Sequence, residues 1–305
     1  MAADTGIPGN PLKDFSAALV QAVERAAEYT VMVNARRRRP ASGVAYSPNL
    51  VLTADHVIER EEDIHVLTGA GLQVQAVLTG RDPASDLALL RLEGAELPAA
   101  PAAAAQGAVG TLALTVARPD TQGVQSGLAL ISAVGGPVRT MRGGLLKRYY
   151  RLDATPLPGF SGGPLVDSSG AVLGINTSGL AMGIFLSLPT DLAWETAALL
   201  ARDGRIKRGY LGVRSQPVEI PPAARALLDR KQESGLLLVN VEENSPAGQA
   251  GLMVGDTLVA LGGRVISEPD DLMLSLAAES AGRTVPVQVI RAGKLVTLDV
   301  KIGER

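Results

Sequence analysis

Apolar and polar positions change period along this chain, and the changes mark out its parts. Phe15, Leu19, Ala22, Val23 and Ala26 recur at three- and four-residue spacing, which predicts an amphipathic helix over residues 14–28 packing on the segment that follows. Short runs rich in Val, Leu and Ile, separated by Gly, Pro or charged turns, then predict strands around residues 30–35, 43–53, 63–68, 72–79 and 87–92, a pattern that suits a small barrel. The alanine-rich stretch from Gly94 to Gly107 reads as a connector. Strands resume at residues 110–117, 128–134, 149–153, 164–167, 171–176 and 184–188, enough for a second barrel, with Ser161 in the loop ahead of one of them. A helix over residues 190–202, opened by Pro189 and Thr190 and stopped by Gly204, ends this part.

The last third repeats the alternation on a smaller scale after a charged hinge, Arg205 to Arg208. A strand at residues 235–241 precedes Ser245, Pro246 and Ala247, a helix start with a side-chain cap and proline in the first turn, and Gly251 is its stop. A strand at 256–261 reaches a turn at Gly262 and Gly263. A helix follows from Pro269 to Glu279, then the alternating Val285, Val287 and Val289, a turn at Gly293, and a strand from Leu295 to Ile302. The predicted divisions are an N-terminal segment and helix over 1–29, a double-barrel domain over 30–204 and a small α+β domain over 205–305.

The chemistry concentrates in Pro158, Gly159, Phe160, Ser161, Gly162, Gly163, Pro164 and Leu165. A serine between glycines can sit on a tight turn with its hydroxyl exposed and nearby backbone N–H groups aimed at an anion, an arrangement for attack on a carbonyl. The same letters fit the Gly-x-Ser-x-Gly elbow of the α/β-hydrolases, whose histidine follows the serine. This chain has two histidines, His56 and His65, both upstream, so the elbow reading fails. An aliphatic hydroxyl needs a base within hydrogen-bond reach, and imidazole is the side chain suited to that task near neutral pH. Its conjugate acid needs a fixed carboxylate, for which Asp55, Asp82 and Asp86 compete. His65, in a strand-like apolar segment, is read as structural.

The order of His56 in Leu52-Thr53-Ala54-Asp55-His56-Val57, then Asp86 ahead of Leu87-Ala88-Leu89, then Ser161, resembles the chymotrypsin-like proteases. With the segment Gly209-Tyr210-Leu211-Gly212-Val213, which resembles the carboxylate-binding loop of a permuted bacterial PDZ domain, nearly the whole chain resembles the HtrA/Deg family of serine proteases. The implied fold is mainly β, a chymotrypsin-like double β-barrel followed by a smaller α+β PDZ domain. The family pattern selects Asp86 as the carboxylate and leaves Asp82 as a turn residue before Pro83. His56, Asp86 and Ser161 would form the triad, and the N–H groups of Gly159 and Ser161 the oxyanion hole. Tyr210, Leu211, Gly212 and Val213 would bind peptide C-termini through backbone N–H groups. The resemblance further implies a homotrimer, with the segment around Phe15 as a candidate contact, and action in the cell envelope or an organelle. It places the walls of the substrate pocket near Thr155 and at Asn176 to Gly179. No acidic residue stands there to select Lys or Arg, so small or medium aliphatic residues are expected before the scissile bond.

One residue departs from the family. Asn or Asp normally precedes the serine, but Phe160 stands here and cannot make their polar contacts to the activation loops. Burial against Leu180 or Met182 would leave the loop constitutively formed, whereas a loose loop would leave the site misformed. Catalysis needs no side chain at this position, so an active enzyme with altered regulation is expected.

Composition narrows the alternatives. Hydrophobic residues make up 46% of the 305 residues, ample for packed cores. A net charge of −2 gives no general field for nucleic acid, and the basic run Arg36 to Arg39, without interleaved aromatics, is read as a solvated hairpin loop. The absence of cysteine excludes disulfides and thiolate metal sites, and no metal or organic cofactor is implied. Neither a basic start followed by an apolar stretch nor a membrane-length apolar run is present, and the compartment stays open. The function expected is a serine endopeptidase acting on unfolded or damaged protein in quality control, its PDZ domain binding substrate or regulatory C-termini. Two other classes are a catalytically silent protease-fold adaptor or chaperone, and a hydrolase of small esters.

Overall fold

The computed structural model describes residues 10–37, 39–140, 145–276 and 281–304. The chain divides into two compact units, Met1–Ile206 and Lys207–Arg305. The first opens on α1 (Pro11–Tyr29), whose first turn is capped by Asn10: its side-chain oxygen accepts from Leu12 N at 3.1 Å and Lys13 N at 3.4 Å, and Pro11 takes the position where no N–H is needed. Ala22, Ala26 and Tyr29 bury the C-terminal half of the helix, where small side chains allow close packing, while Phe15 at the other end of the predicted stripe is 44% exposed.

The first barrel comprises β1 (Thr30–Asn34), β2 (Ala41–Ser47), β3 (Leu50–Ala54), β4 (Ile64–Leu67), β5 (Gln73–Asp82) and β6 (Leu87–Leu92). They close in the order β1-β2-β3-β6-β5-β4, all antiparallel neighbours. The segment predicted as one strand over 43–53 is a hairpin instead, with Gly43 opposite Thr53 and Val44 opposite Leu52. Pro48 and Asn49 make the turn, a use of residue types that interrupt a strand.

The second barrel comprises β7 (Leu112–Asp120), β8 (Gly123–Gly135), β11 (Tyr149–Leu152), β12 (Pro164–Val166), β13 (Val172–Thr177) and β14 (Leu186–Pro189), closing as β11-β14-β13-β12-β7-β8. A small ribbon of β9 (Val138–Arg139) and β10 (Leu145–Leu146) lies between β8 and β11 in the chain and was too short to leave a periodic signal. Helix α2 (Thr190–Asp203) ends at Gly204, whose left-handed backbone, φ +72°, lets its N–H reach Leu200 O.

The second unit is a six-stranded sheet of β16 (Val213–Glu219), β17 (Ser234–Val241), β18 (Thr257–Leu261), β20 (Thr284–Arg291) and β21 (Lys294–Lys301), with β19 (Arg264–Val265) paired to β18. A two-stranded ribbon pairs β15 (Gly209–Tyr210) with β22 (Gly303–Glu304). Its helices are α3 (Pro222–Arg225), α4 (Pro246–Gln249) and α5 (Pro269–Ser275). The predicted extension of α5 to Glu279 lies outside the described residues. Among the described residues no helix is long and apolar enough to cross a membrane.

Candidate active site

The two barrels bring their functional groups to one cavity of about 340 Å³, lined by Arg36, Arg39, His56, Pro156, Leu157, Pro158, Gly159, Ser161 and Ser178. His56 lies in the 3-10 turn Asp55–Val57 at the end of β3. Asp86 sits just before β6, the strand paired to β3, so the sheet register itself brings them together: Ala54 stands opposite Leu87.

Asp86 is fully buried and holds His56 at two points, the ring through Nδ1 at 2.7 Å from Oδ2 and the backbone through His56 N, which donates to Oδ1 at 2.9 Å. Thr177 Oγ1 also donates to Oδ2, and Gly179 N in turn donates to Thr177 Oγ1 at 3.0 Å. Nδ1 is therefore the protonated nitrogen of the neutral ring, and Nε2 is left as the basic lone pair. Gly179 is required by close approach: a Cβ there would lie 2.5 Å from His56 Nδ1 and 2.6 Å from Asp86 Oδ2.

The competing carboxylates have other partners. Asp55 Oδ1 accepts from Arg81 Nε at 2.6 Å, and that bond raises the Arg81 guanidinium above its ordinary pKa. Asp82 Oδ2 accepts from Ser85 Oγ at 2.6 Å and Ser85 N at 3.2 Å, closing the turn before Asp86. His65 Nε2 lies 2.8 Å from Asp63 Oδ1 on β4, with its side chain 30% exposed.

Around the serine the backbone is tied down almost completely. Phe160 N donates to Leu157 O at 3.2 Å, and with Pro158 second and Gly159 third at φ +89° this is the pattern of a type II turn. Gly162 N donates to Asn176 O at 2.8 Å, Gly163 N to Phe160 O at 3.1 Å, and Ser42 N to Ser161 O at 3.1 Å. Gly159 O accepts from Ser42 Oγ at 2.7 Å. The N–H groups of Gly159 and Ser161, alternate members of this run, donate to no acceptor among the described residues. Paired neighbours with two donors left over are what an oxyanion site requires.

The Ser161 hydroxyl lies 3.1 Å from Ser178 Oγ and accepts from Ser178 N at 3.4 Å. No hydrogen bond joins it to His56 among the described residues, although both line the same cavity. Catalytic contacts in unliganded enzymes commonly close only with substrate in place.

Sequence reasoning missed Ser42 and the roles of Thr177 and Ser178. A small polar residue in an apolar strand and a polar pair ending β13 were the only signals. It also misplaced the side chain of Phe160. The side chain of Phe160, 1% exposed, lies in the second barrel's core with Ile131, Tyr150, Leu165 and Phe185, whereas Met182 is 82% exposed and Leu180 belongs to another cluster. The turn at Leu157 to Phe160 leads the ring into the barrel, into a cluster with Phe185 rather than with Leu180 or Met182. Of the expected walls, Pro156 to Pro158 next to Thr155 and Ser178 within Asn176 to Gly179 line the cavity, while Thr155 is exposed and Asn176 is fully buried, donating from Nδ2 to Pro164 O at 2.9 Å.

In the second unit, Leu211 is buried, its carbonyl accepting from Ala247 N at 2.9 Å, and Gly212 O accepts from Glu242 N at 2.9 Å. The N–H groups of Leu211 and Gly212 have no acceptor among the described residues. Tyr210 Oη donates to Glu242 Oε2, and Val213 begins β16, an edge strand that among the described residues pairs with β17 alone.

The trypsin-like peptidase domain matches residues 41–175 and the PDZ domain matches residues 209–302. A probable periplasmic serine endoprotease DegP-like of Pseudomonas putida is 34% identical over 263 residues, 84% of this chain and 54% of the relative. The serine endoprotease DegS of Haemophilus influenzae is 31% identical over 274 residues, 86% of this chain and 76% of the relative. Thus the chain spans about half the length of the DegP-like relatives it matches. Among solved structures, a serine endoprotease from Yersinia pestis superposes with a TM-score of 0.78 at 31% identity, covering 94% of this chain and 98% of that one. The HtrA-type protease AlgW with a decapeptide gives a TM-score of 0.77 at 26% identity, covering 94% and 98%. With the mainly β double barrel and the α+β module behind it, these matches make the chain a member of the HtrA family of trypsin-like serine proteases, in which a PDZ domain follows the protease domain.

Proposed function

We propose that this protein is a serine endopeptidase that cleaves unfolded or damaged proteins, with His56, Asp86 and Ser161 as its triad. Ser161 Oγ attacks the scissile carbonyl while its proton passes to His56 Nε2. Asp86 holds the resulting imidazolium. The carbonyl oxygen becomes an oxyanion against the N–H groups of Gly159 and Ser161, each worth about 3–4 kcal/mol in related chemistry. Collapse of the tetrahedral intermediate expels the amine, which takes the proton from His56. Water then enters by the same route in reverse and frees Ser161 from the acyl group.

The observation that supports this reading is the selective pairing of the serine loop: from Gly159 to Gly163, only the N–H groups of Gly159 and Ser161 lack acceptors among the described residues. The test is labelling with a serine-reactive fluorophosphonate together with casein cleavage. Wild type is expected to label and cleave, and Ser161→Ala to do neither. A wild type that fails in both sinks the proposal. The silent-adaptor alternative rested on Phe160, and its burial in the barrel core removes that support.

The PDZ unit would capture a peptide C-terminus at the N–H groups of Leu211, Gly212 and Val213, next to Tyr210, with the peptide adding as a strand to the open edge of β16. The AlgW structures were solved with a decapeptide and a tripeptide, which supports peptide binding as the shared use of this architecture. Exposed Leu12 and Phe15 on α1 favour a homo-oligomer, a trimer by family resemblance, checked by light scattering on the purified chain. The DegP-like relatives are named periplasmic, and the cell envelope is the compartment proposed here.

A further inference from the structure

The cavity that holds His56 and Ser161 carries two arginines and no carboxylate among its lining residues. Both come from the β1–β2 connection, the basic run that the sequence presents as a solvated loop. Arg36 is half-buried and holds the hairpin's shape, donating from Nε to Arg39 O at 2.6 Å and from Nη2 to Pro40 O at 3.3 Å. Arg39 is exposed, and its guanidinium makes no hydrogen bond or ion pair with the described residues. The carboxylate behind His56, Asp86, is fully buried and occupied by His56 and Thr177, and it is not among the residues that line the cavity.

A fork of donors beside the nucleophile, anchored by one arginine and left open by the other, matches a carboxylate in charge and shape. From this we infer that the cleft selects substrates with Asp or Glu close to the scissile bond, so that the preferred clients are acidic segments of unfolded chains. The chain's net charge of −2 makes the preference a local property of this cleft rather than a consequence of a basic protein. This inference rests on the peptidase reading of the same cavity.

The test uses the full chain and internally quenched peptides that differ only in carrying Glu, Gln or Lys at successive positions on both sides of the cleaved bond. Wild type is expected to show kcat/KM about tenfold higher for Glu than for Lys at the responsive position, shrinking as salt is raised. In Arg39→Glu the order should invert, and in Arg39→Gln the ratio should approach one. Reading the Glu-to-Lys ratio within each variant cancels any difference in the amount of folded enzyme. Equal rates for the three peptides in wild type, or a preference unchanged in Arg39→Glu, would overturn the inference. The same peptides are titrated against Ser161→Ala by fluorescence anisotropy. Acidic preference in binding with no cleavage by wild type would overturn the peptidase reading alone. Binding indifferent to charge would overturn the cleft's selectivity alone.

Discussion

The loops at Ser161 and at Leu211 each leave two backbone N–H groups without acceptors among the described residues, and they achieve it differently. In the serine loop the restraint comes from outside. Ser42, on the other barrel, grips Gly159 O with its hydroxyl and Ser161 O with its N–H, while Asn176 O takes Gly162 N. Ser42 Oγ accepts in turn from Arg118 N at 2.9 Å, and the buried Arg118 side chain donates from Nε to Thr30 O at 3.0 Å and from Nη2 to Ala27 O at 3.3 Å at the end of α1. In the loop at Leu211 and Gly212 the carbonyls accept from backbone N–H groups of the same small unit, Ala247 and Glu242, and the open donors continue into an edge strand. The lesson concerns precision. An oxyanion site at the serine loop would draw its precision from Ser42 on the other barrel, whereas a loop that binds an extended chain would need only the regular spacing of a strand.

The contrast can be broken at several points. Gly159→Ala should do most damage: the new Cβ would stand 2.5 Å from Pro119 Cβ, and φ is +89°. Loss of one properly aimed donor predicts a fall in kcat of about 10²–10³, with C-terminal peptide binding measured by fluorescence anisotropy unchanged. Wild-type kcat in that variant would show that the Gly159 N–H is not used. Phe160→Ala empties a fully packed site and should cost about 3–5 kcal/mol, read as an earlier denaturation midpoint for the protease unit. An unshifted midpoint would show that the ring does not anchor the loop.

Ser42→Ala sharpens the comparison further, because the hydroxyl it removes bonds Gly159 O and Arg118 N and not the Ser161 hydroxyl. It leaves Gly159 O and Arg118 N without their partner, a cost of about 1–3 kcal/mol. The positioning role predicts that kcat falls while KM holds, and a loss of stability with unchanged kcat would make Ser42 merely structural. The smallest effect belongs to the other loop's neighbourhood. Ser245 caps α4 by accepting from Gly248 N at 3.1 Å, so Ser245→Ala should cost the PDZ unit about 1 kcal/mol in a denaturant titration and leave proteolysis intact. Impaired proteolysis in that variant would contradict the separation of the two restraints.

Much of this architecture was legible in the chain. Strands β6, β11 and β13 and helix α2 follow from alternation, breakers and caps, because those signals are local. The hairpin at Pro48 and Asn49 was hidden because both of its strands are apolar and together imitate one long run. The sequence shows Asp86 ahead of Leu87-Ala88-Leu89, but the contest with Asp55 and Asp82 is decided by partners: Arg81 takes one and Ser85 the other.

By itself, the amino-acid order determined the two-part plan, the succession of strands and helices, and the three residue types needed for acyl transfer. Tertiary structure alone decided which hydroxyl restrains the serine loop, where Phe160 is buried and that two arginines line the cavity shared by His56 and Ser161. Ser42 and Gly159 are 117 positions apart, and no local pattern encodes a hydrogen bond across that separation. Hydrophobic periodicity records which face of an element is buried, whereas the chemistry of a site depends on what the other elements bring to that face.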